Sequence, residues 1–111
     1  MNFNEYQARA AETAIYPNGD IGEALHYLTP ALTAEAGEVA GKWAKVVRDK
    51  RGLPSVADMR AMKAELGDVL WVTAMTAHEL GYTLEEVATT NLRKLQDRAQ
   101  RGVLGGSGDN R

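Results

Sequence analysis

Apolar residues along the chain recur at helical spacing, and nothing in it alternates convincingly like a strand. From Asn2 to Ala14 the pattern predicts a helix with Phe3, Tyr6 and Ala10 on one side and Asn2 or Asn4 as its cap; Tyr16-Pro-Asn-Gly-Asp20 breaks it. A second helix is expected over about Pro30 to Asp49, with Thr29 capping and Pro30 in the first helical position, although Leu25 to Leu28 can form an earlier turn. Along it Leu32, Ala36, Val39, Ala40, Trp43 and Val47 form a stripe expected to be buried, and Arg51-Gly-Leu-Pro54 ends it.

Ser55 and Asp58 read as a capping pair for a third helix, whose apolar face is Val56, Met59, Met62, Leu66, Val69, Leu70 and Thr73 and which Gly81 stops after Leu80. Thr83-Leu-Glu-Glu86 is a capping box for a fourth, with Leu84, Val87, Ala88, Leu92 and Leu95 inward. Short connections imply antiparallel neighbours, so the expected fold is an all-α antiparallel bundle of about four helices in one domain, residues 1–101. The glycine-rich segment 102–111 has no helical period and is expected to be a non-helical tail.

A chain of 111 residues buries only part of its surface alone, which favours assembly with copies of itself. Thirteen Lys and Arg against fifteen Asp and Glu give a net charge of −2, so no global field points to a nucleic-acid polymer or an anionic membrane. Cysteine is absent, excluding disulfides and thiolate metal sites. With no basic-then-apolar leader and no membrane-length apolar run, the expected setting is cytoplasmic.

The charged residues carry the chemistry locally. Glu35 and Glu38 sit three apart on the second helix, and Glu65 and Asp68 three apart on the third. That spacing makes each pair helical neighbours, roughly 5–6 Å apart at Cβ. Each pair borders an apolar stripe, so side-by-side helices bring four anions together, a cluster that calls for an oxygen-seeking cation. Mg²⁺ suits carboxylate and water ligands better than zinc, since no thiolate or convincing histidine is nearby. A single E-x-x-E is ordinary on a helix surface, where Glu38 and Lys42 also form an i,i+4 pair; it is the two bordered pairs together that favour a metal site. Gly37 and Gly41, each costing about 1 kcal/mol in a helix, point either to close approach of a backbone or ligand or to simple close packing.

Toward the C-terminus Arg93, Lys94, Arg98, Arg101 and Arg111 outnumber Asp97 and Asp109. An acidic metal site and a basic helix end together suit a polyphosphate ester, with Lys and Arg holding the outer oxygens. Trp71, three residues after Asp68, offers a stacking surface, and His26, Tyr27 and Trp43 further contacts, although core packing accounts for each aromatic equally well. His78 reads as an exposed helix residue.

Three segments, Pro30-Ala-Leu-Thr-Ala-Glu-Ala-Gly-Glu-Val39, Glu65-Leu-Gly-Asp-Val69 and Asn91-Leu-Arg-Lys-Leu95, together with the tail from Gly102 to Arg111, resemble the MazG-like all-α nucleotide pyrophosphohydrolases. The E-x-x-E and E-x-x-D pairs match that family's metal signature, Asn91 and Lys94 its N-x-x-K, and the tail the endings of small single-domain and phage-type members, which favours its contributing to the site. Ala34 departs from the pattern, since many members carry a Glu there. The resemblance implies cleavage of a nucleoside or deoxynucleoside triphosphate between its α and β phosphates, giving monophosphate and pyrophosphate. Glu35, Glu38, Glu65 and Asp68 would hold Mg²⁺, with Mn²⁺ as a substitute, in a homodimer or homotetramer. Glu38 is the expected base, Lys94 and Arg98 the groups stabilising the leaving pyrophosphate, and Asn91 and Lys45 further substrate contacts, with Trp71 at the base. Two readings stay open beside it: a phosphoribosyl-ATP pyrophosphohydrolase, and a non-catalytic helical oligomerisation module with a structural cation.

Overall fold

The computed structural model describes residues 1–111 as four helices and no strands: α1 (Phe3–Ala11), α2 (Ile21–Lys50), α3 (Val56–Glu79) and α4 (Leu84–Gln100). Three starts follow the sequence signals. Reciprocal capping boxes form between Asn2 and Glu5, Ser55 and Asp58, and Thr83 and Glu86, each satisfying backbone N–H groups that the first helical turn leaves unpaired. α1 is shorter than its pattern suggests. The N–H groups of Glu12, Thr13 and Ala14 reach only three residues back, so the last turn tightens before Tyr16 and Pro17.

The start of α2 departs from expectation. It begins at Ile21, capped by Asp20 accepting from the Glu23 N–H at 2.8 Å, and runs straight through Pro30. A proline inside a helix forfeits one hydrogen bond and costs about 3 kcal/mol. Here Ala24 and Leu28, both fully buried, anchor the preceding turns by packing, which outweighs the local break, and the Thr29 hydroxyl donates to the Leu25 carbonyl at 2.7 Å. α2 ends as Arg51 adopts a left-handed φ of 53° and the Gly52 N–H returns to the Val46 carbonyl at 3.1 Å.

Helix α3 is the hub. Helices α1, α2 and α4 each pack on it, and α1 also packs on α4. The α2–α3 pair is antiparallel: Lys50 meets Asp58 and Lys42 meets Glu65, while Glu35 lies beside Asp68, so one numbering climbs as the other falls. The core gathers Ala10, Tyr16, Ala24, Leu28, Val72, Ala74, Met75 and Leu84, where α1, the first half of α2, the second half of α3 and the start of α4 converge.

Much of the expected apolar stripe lies outside this core. Of the α2 set only Val39 is half-buried, while Leu32, Trp43 and Val47 are exposed; Leu66, Leu70, Leu92 and Leu95 are exposed as well. The radius of gyration is 16.8 Å, against about 13 Å for a compact chain of this length. A single copy is an open scaffold with more apolar surface than its own core absorbs.

Candidate metal centre

Helix geometry brings the acids together. Glu65 and Asp68 lie one turn apart on α3, and the antiparallel register sets Glu35 of α2 opposite them. One carboxylate oxygen from each of the three lies within 4.8 Å of the others. Glu35 and Glu65 are half-buried and Asp68 is open to solvent. An all-carboxylate set with one wet edge fits a hard divalent cation that keeps water ligands. Glu38, expected as a fourth ligand, lies outside this trio and is exposed one turn further along α2.

Two neighbours complete the electrostatics. The Lys42 ammonium sits 3.3 Å from Glu65 Oε1, across the helix pair, rather than pairing along α2 with Glu38. The Tyr6 phenol of α1 is held above its ordinary pKa, chiefly by burial and further by the negative charge of Asp68. Gly37, Gly41 and Gly67 face open space within the chain, so no intramolecular close approach explains them.

A family model described as the MazG nucleotide pyrophosphohydrolase domain matches residues 23–103, which carry both acidic pairs and the Asn91–Lys94 motif. The chain belongs to the MazG family. Over 114 residues covering both chains completely, it is 46% identical to the Gene 37 protein of Mycobacterium phage L5. No solved structure matches. MazG proteins as a family act on nucleoside triphosphates and generally use a divalent metal, which the acidic trio suits. No helix of this MazG chain is long and apolar enough to cross a membrane.

The basic end of the MazG domain is organised by the tail. Asn91, Arg93 and Lys94 line an open groove along α4 with Tyr82, Glu86 and Thr90. Lys94 Nζ and Arg98 Nη2 each lie 3.3 Å from Asp109 Oδ1, and these two cations hold the Asp109 carboxyl below its usual range, Lys94 contributing most. Arg98, expected as a phosphate ligand, is buried and donates to the Asp109 carbonyl at 2.9 Å and the Gly108 carbonyl at 3.4 Å. It is spent on the tail. Arg111 in turn donates to the carbonyls of Val103, Leu104 and Gly108, and Gly106 and Gly108 adopt positive φ values that let the chain double back. The tail is thus a folded loop against α4, and not a frayed end.

The aromatic residues divide. Trp71 donates from its indole N–H to Thr13 Oγ1 at 2.9 Å and meets Tyr16 edge-on at 6.1 Å, while Tyr27 stacks on Tyr16 at 5.7 Å. Trp71 therefore packs against the core, with its polar atom already paired. Trp43, His26 and Lys45 are exposed on α2, and His78 is exposed at the end of α3. Lys42 and Tyr6 were not singled out from the sequence as part of the site. Lys42 carried a usable signal, since it stands two turns after Glu35 on the same face. Tyr6 carried none, because its place depends on how α1 packs.

Proposed function

We propose that this protein is a Mg²⁺-dependent nucleoside triphosphate pyrophosphohydrolase that cleaves between the α and β phosphates. The observation carrying the reading is the convergence of Glu35, Glu65 and Asp68 from two helices, within the segment that matches the MazG domain. Glu35, Glu65 and Asp68 would hold the cation, with Glu38 joining them or facing the reacting water from one turn away. A divalent cation bound there supplies charge to the phosphate oxygens and acidity to a water molecule. Glu38, exposed one turn along α2 from Glu35, would act as the base that takes a proton from the attacking water. Lys94 supports charge on the departing pyrophosphate and Asn91 positions the substrate, while Arg98 acts through the tail by fixing Asp109 against Lys94.

Within one chain α2 and α4 each pack on α3 and their backbones are not packed against each other. The exposed stripes on α2 and α3 give two copies an apolar face to share, so the working enzyme is a homodimer or homotetramer in which acidic and basic groups of different copies can meet. A triphosphate substrate suits a cytoplasmic setting.

The test is product analysis on a panel of ribo- and deoxyribonucleoside triphosphates, with phosphoribosyl-ATP included, in the presence and absence of Mg²⁺. Metal-dependent monophosphate and pyrophosphate from a triphosphate is the expected result. Turnover of phosphoribosyl-ATP alone assigns the other pyrophosphohydrolase reaction, and metal-dependent stability with no turnover assigns a structural cation.

A further inference from the structure

Lys42 occupies a position that the metal reading leaves unexplained. It lies four residues after Glu38 and seven after Glu35, on the α2 face that meets α3, and its ammonium stands 3.3 Å from Glu65 Oε1. The Glu65 side chain is 18% exposed and that of Lys42 is 37% exposed. The acid is thus fixed in the helix contact while the lysine keeps a route to water.

Three carboxylates within 4.8 Å of one another repel, and the half-buried pair among them cannot rely on water alone to offset this. Of the chain's lysines and arginines, Lys42 is the one in an ion pair with a member of the trio. The others in ion pairs meet Asp49, Asp58, Asp97 and Asp109, all outside it. We infer that Lys42 is a built-in counter-ion that stands in for the metal and must be displaced from Glu65 when a divalent cation enters. The inference rests on the metal reading above and adds a determinant of metal affinity to it. The opposite role, an ammonium that orients Glu65 as a ligand, would make the same residue strengthen metal binding.

The two roles differ in sign, so binding of Mg²⁺ alone to the whole protein, followed by calorimetry without nucleotide, separates them. Lys42→Met keeps the length of the side chain and removes its charge. It is expected to bind Mg²⁺ more tightly than the wild type, on the order of three- to tenfold, because the competing cation is gone. Lys42→Arg keeps the charge and should stay close to wild type. Lys63→Met, which removes a lysine on α3 that is in no ion pair, corrects for net charge and should also change little. Thermal unfolding gives a second reading: Lys42→Met should melt lower than wild type without metal and gain more on adding Mg²⁺. If Lys42→Met is poorly folded, Lys42→Gln serves for both measurements. Equal or weaker Mg²⁺ binding by the neutral variants overturns the counter-ion role while leaving the metal site standing. Absence of Mg²⁺ binding in wild type and variants alike overturns the metal reading and this inference with it.

Discussion

Gln7 of α1 donates from Nε2 to the carbonyl of Ala74 on α3 at 3.1 Å. The same amide donates to the Tyr82 carbonyl and accepts from the Leu84 N–H, each at 3.1 Å. One buried side chain thereby ties α1 to α3 and to the turn that launches α4. Replacing Gln7 with Leu fills similar space but strands the Leu84 N–H and the Tyr82 carbonyl. Leaving buried polar groups unpaired costs about 1–3 kcal/mol each. We therefore expect Gln7→Leu to lower the unfolding free energy by about 2–3 kcal/mol, measured by urea denaturation. A loss below about 0.5 kcal/mol, typical of ordinary surface substitutions, would contradict this role.

Trp43 and Val47 lie one turn apart on the exposed stripe of α2. If copies associate through that stripe, the double substitution Trp43→Glu, Val47→Glu should lower the mass measured by sedimentation equilibrium to that of one chain, with helix content preserved. Activity should fall with it. A wild-type protein that is already monomeric at micromolar concentration would contradict the shared-face account.

Asp58 gives a dependence on acid. Its carboxyl is lowered to about 2, first by the hydrogen bond from Lys50 and then by those from the Ser55 backbone and hydroxyl. A carboxylate that titrates lower in the folded chain than in the unfolded one stabilises the fold above its ordinary value of 3.8 and loses that contribution as pH falls toward 2. Asp58→Asn should therefore melt below wild type at neutral pH, with the gap closing between about pH 4 and pH 2. A gap that stays constant through this window would show that Asp58 acts through packing and not through its charge.

Arg98 predicts the behaviour of the tail. Because its guanidinium holds the backbone at Gly108 and Asp109, Arg98→Ala should free residues 102–111 and speed tryptic cleavage after Arg101, on the order of tenfold, while the four helices persist. Asp109→Asn keeps the backbone contacts, so it should leave cleavage near the wild-type rate. Unchanged proteolysis in Arg98→Ala would remove the tail's anchor from the account.

The helix starts at Ser55 and Thr83 were legible because each carries a polar cap with an acid three residues later, a purely local signal, while for α1 the structure selects Asn2 over Asn4. The start of α2 was not, because Pro30 is a strong local break while the burial of Ala24 and Leu28 against α3 is a tertiary effect invisible in periodicity. Three-residue spacing on two adjacent helices led to an expected convergence of four acids, of which Glu35, Glu65 and Asp68 come together while Glu38 stays outside. Which apolar stripes the chain buries by itself could not, since a face meant for a second copy has the same pattern as one meant for the core. Arg98 shows the same limit on the basic side: its charge suggested a phosphate, and its burial against the Gly108–Asp109 backbone is set by a loop conformation that glycines permit but do not specify.

The acidic trio is proposed to support metal-dependent cleavage of a triphosphate between its α and β phosphates. Its most direct test is hydrolysis of a turned-over triphosphate in oxygen-18 water by wild type and by Glu65→Gln, with mass analysis of both products. The expected products are a nucleoside monophosphate and intact pyrophosphate, one of them carrying a single heavy oxygen, formed only with divalent metal, and Glu65→Gln is expected to lose turnover. Release of inorganic phosphate as the primary product, or full activity in Glu65→Gln, would contradict it.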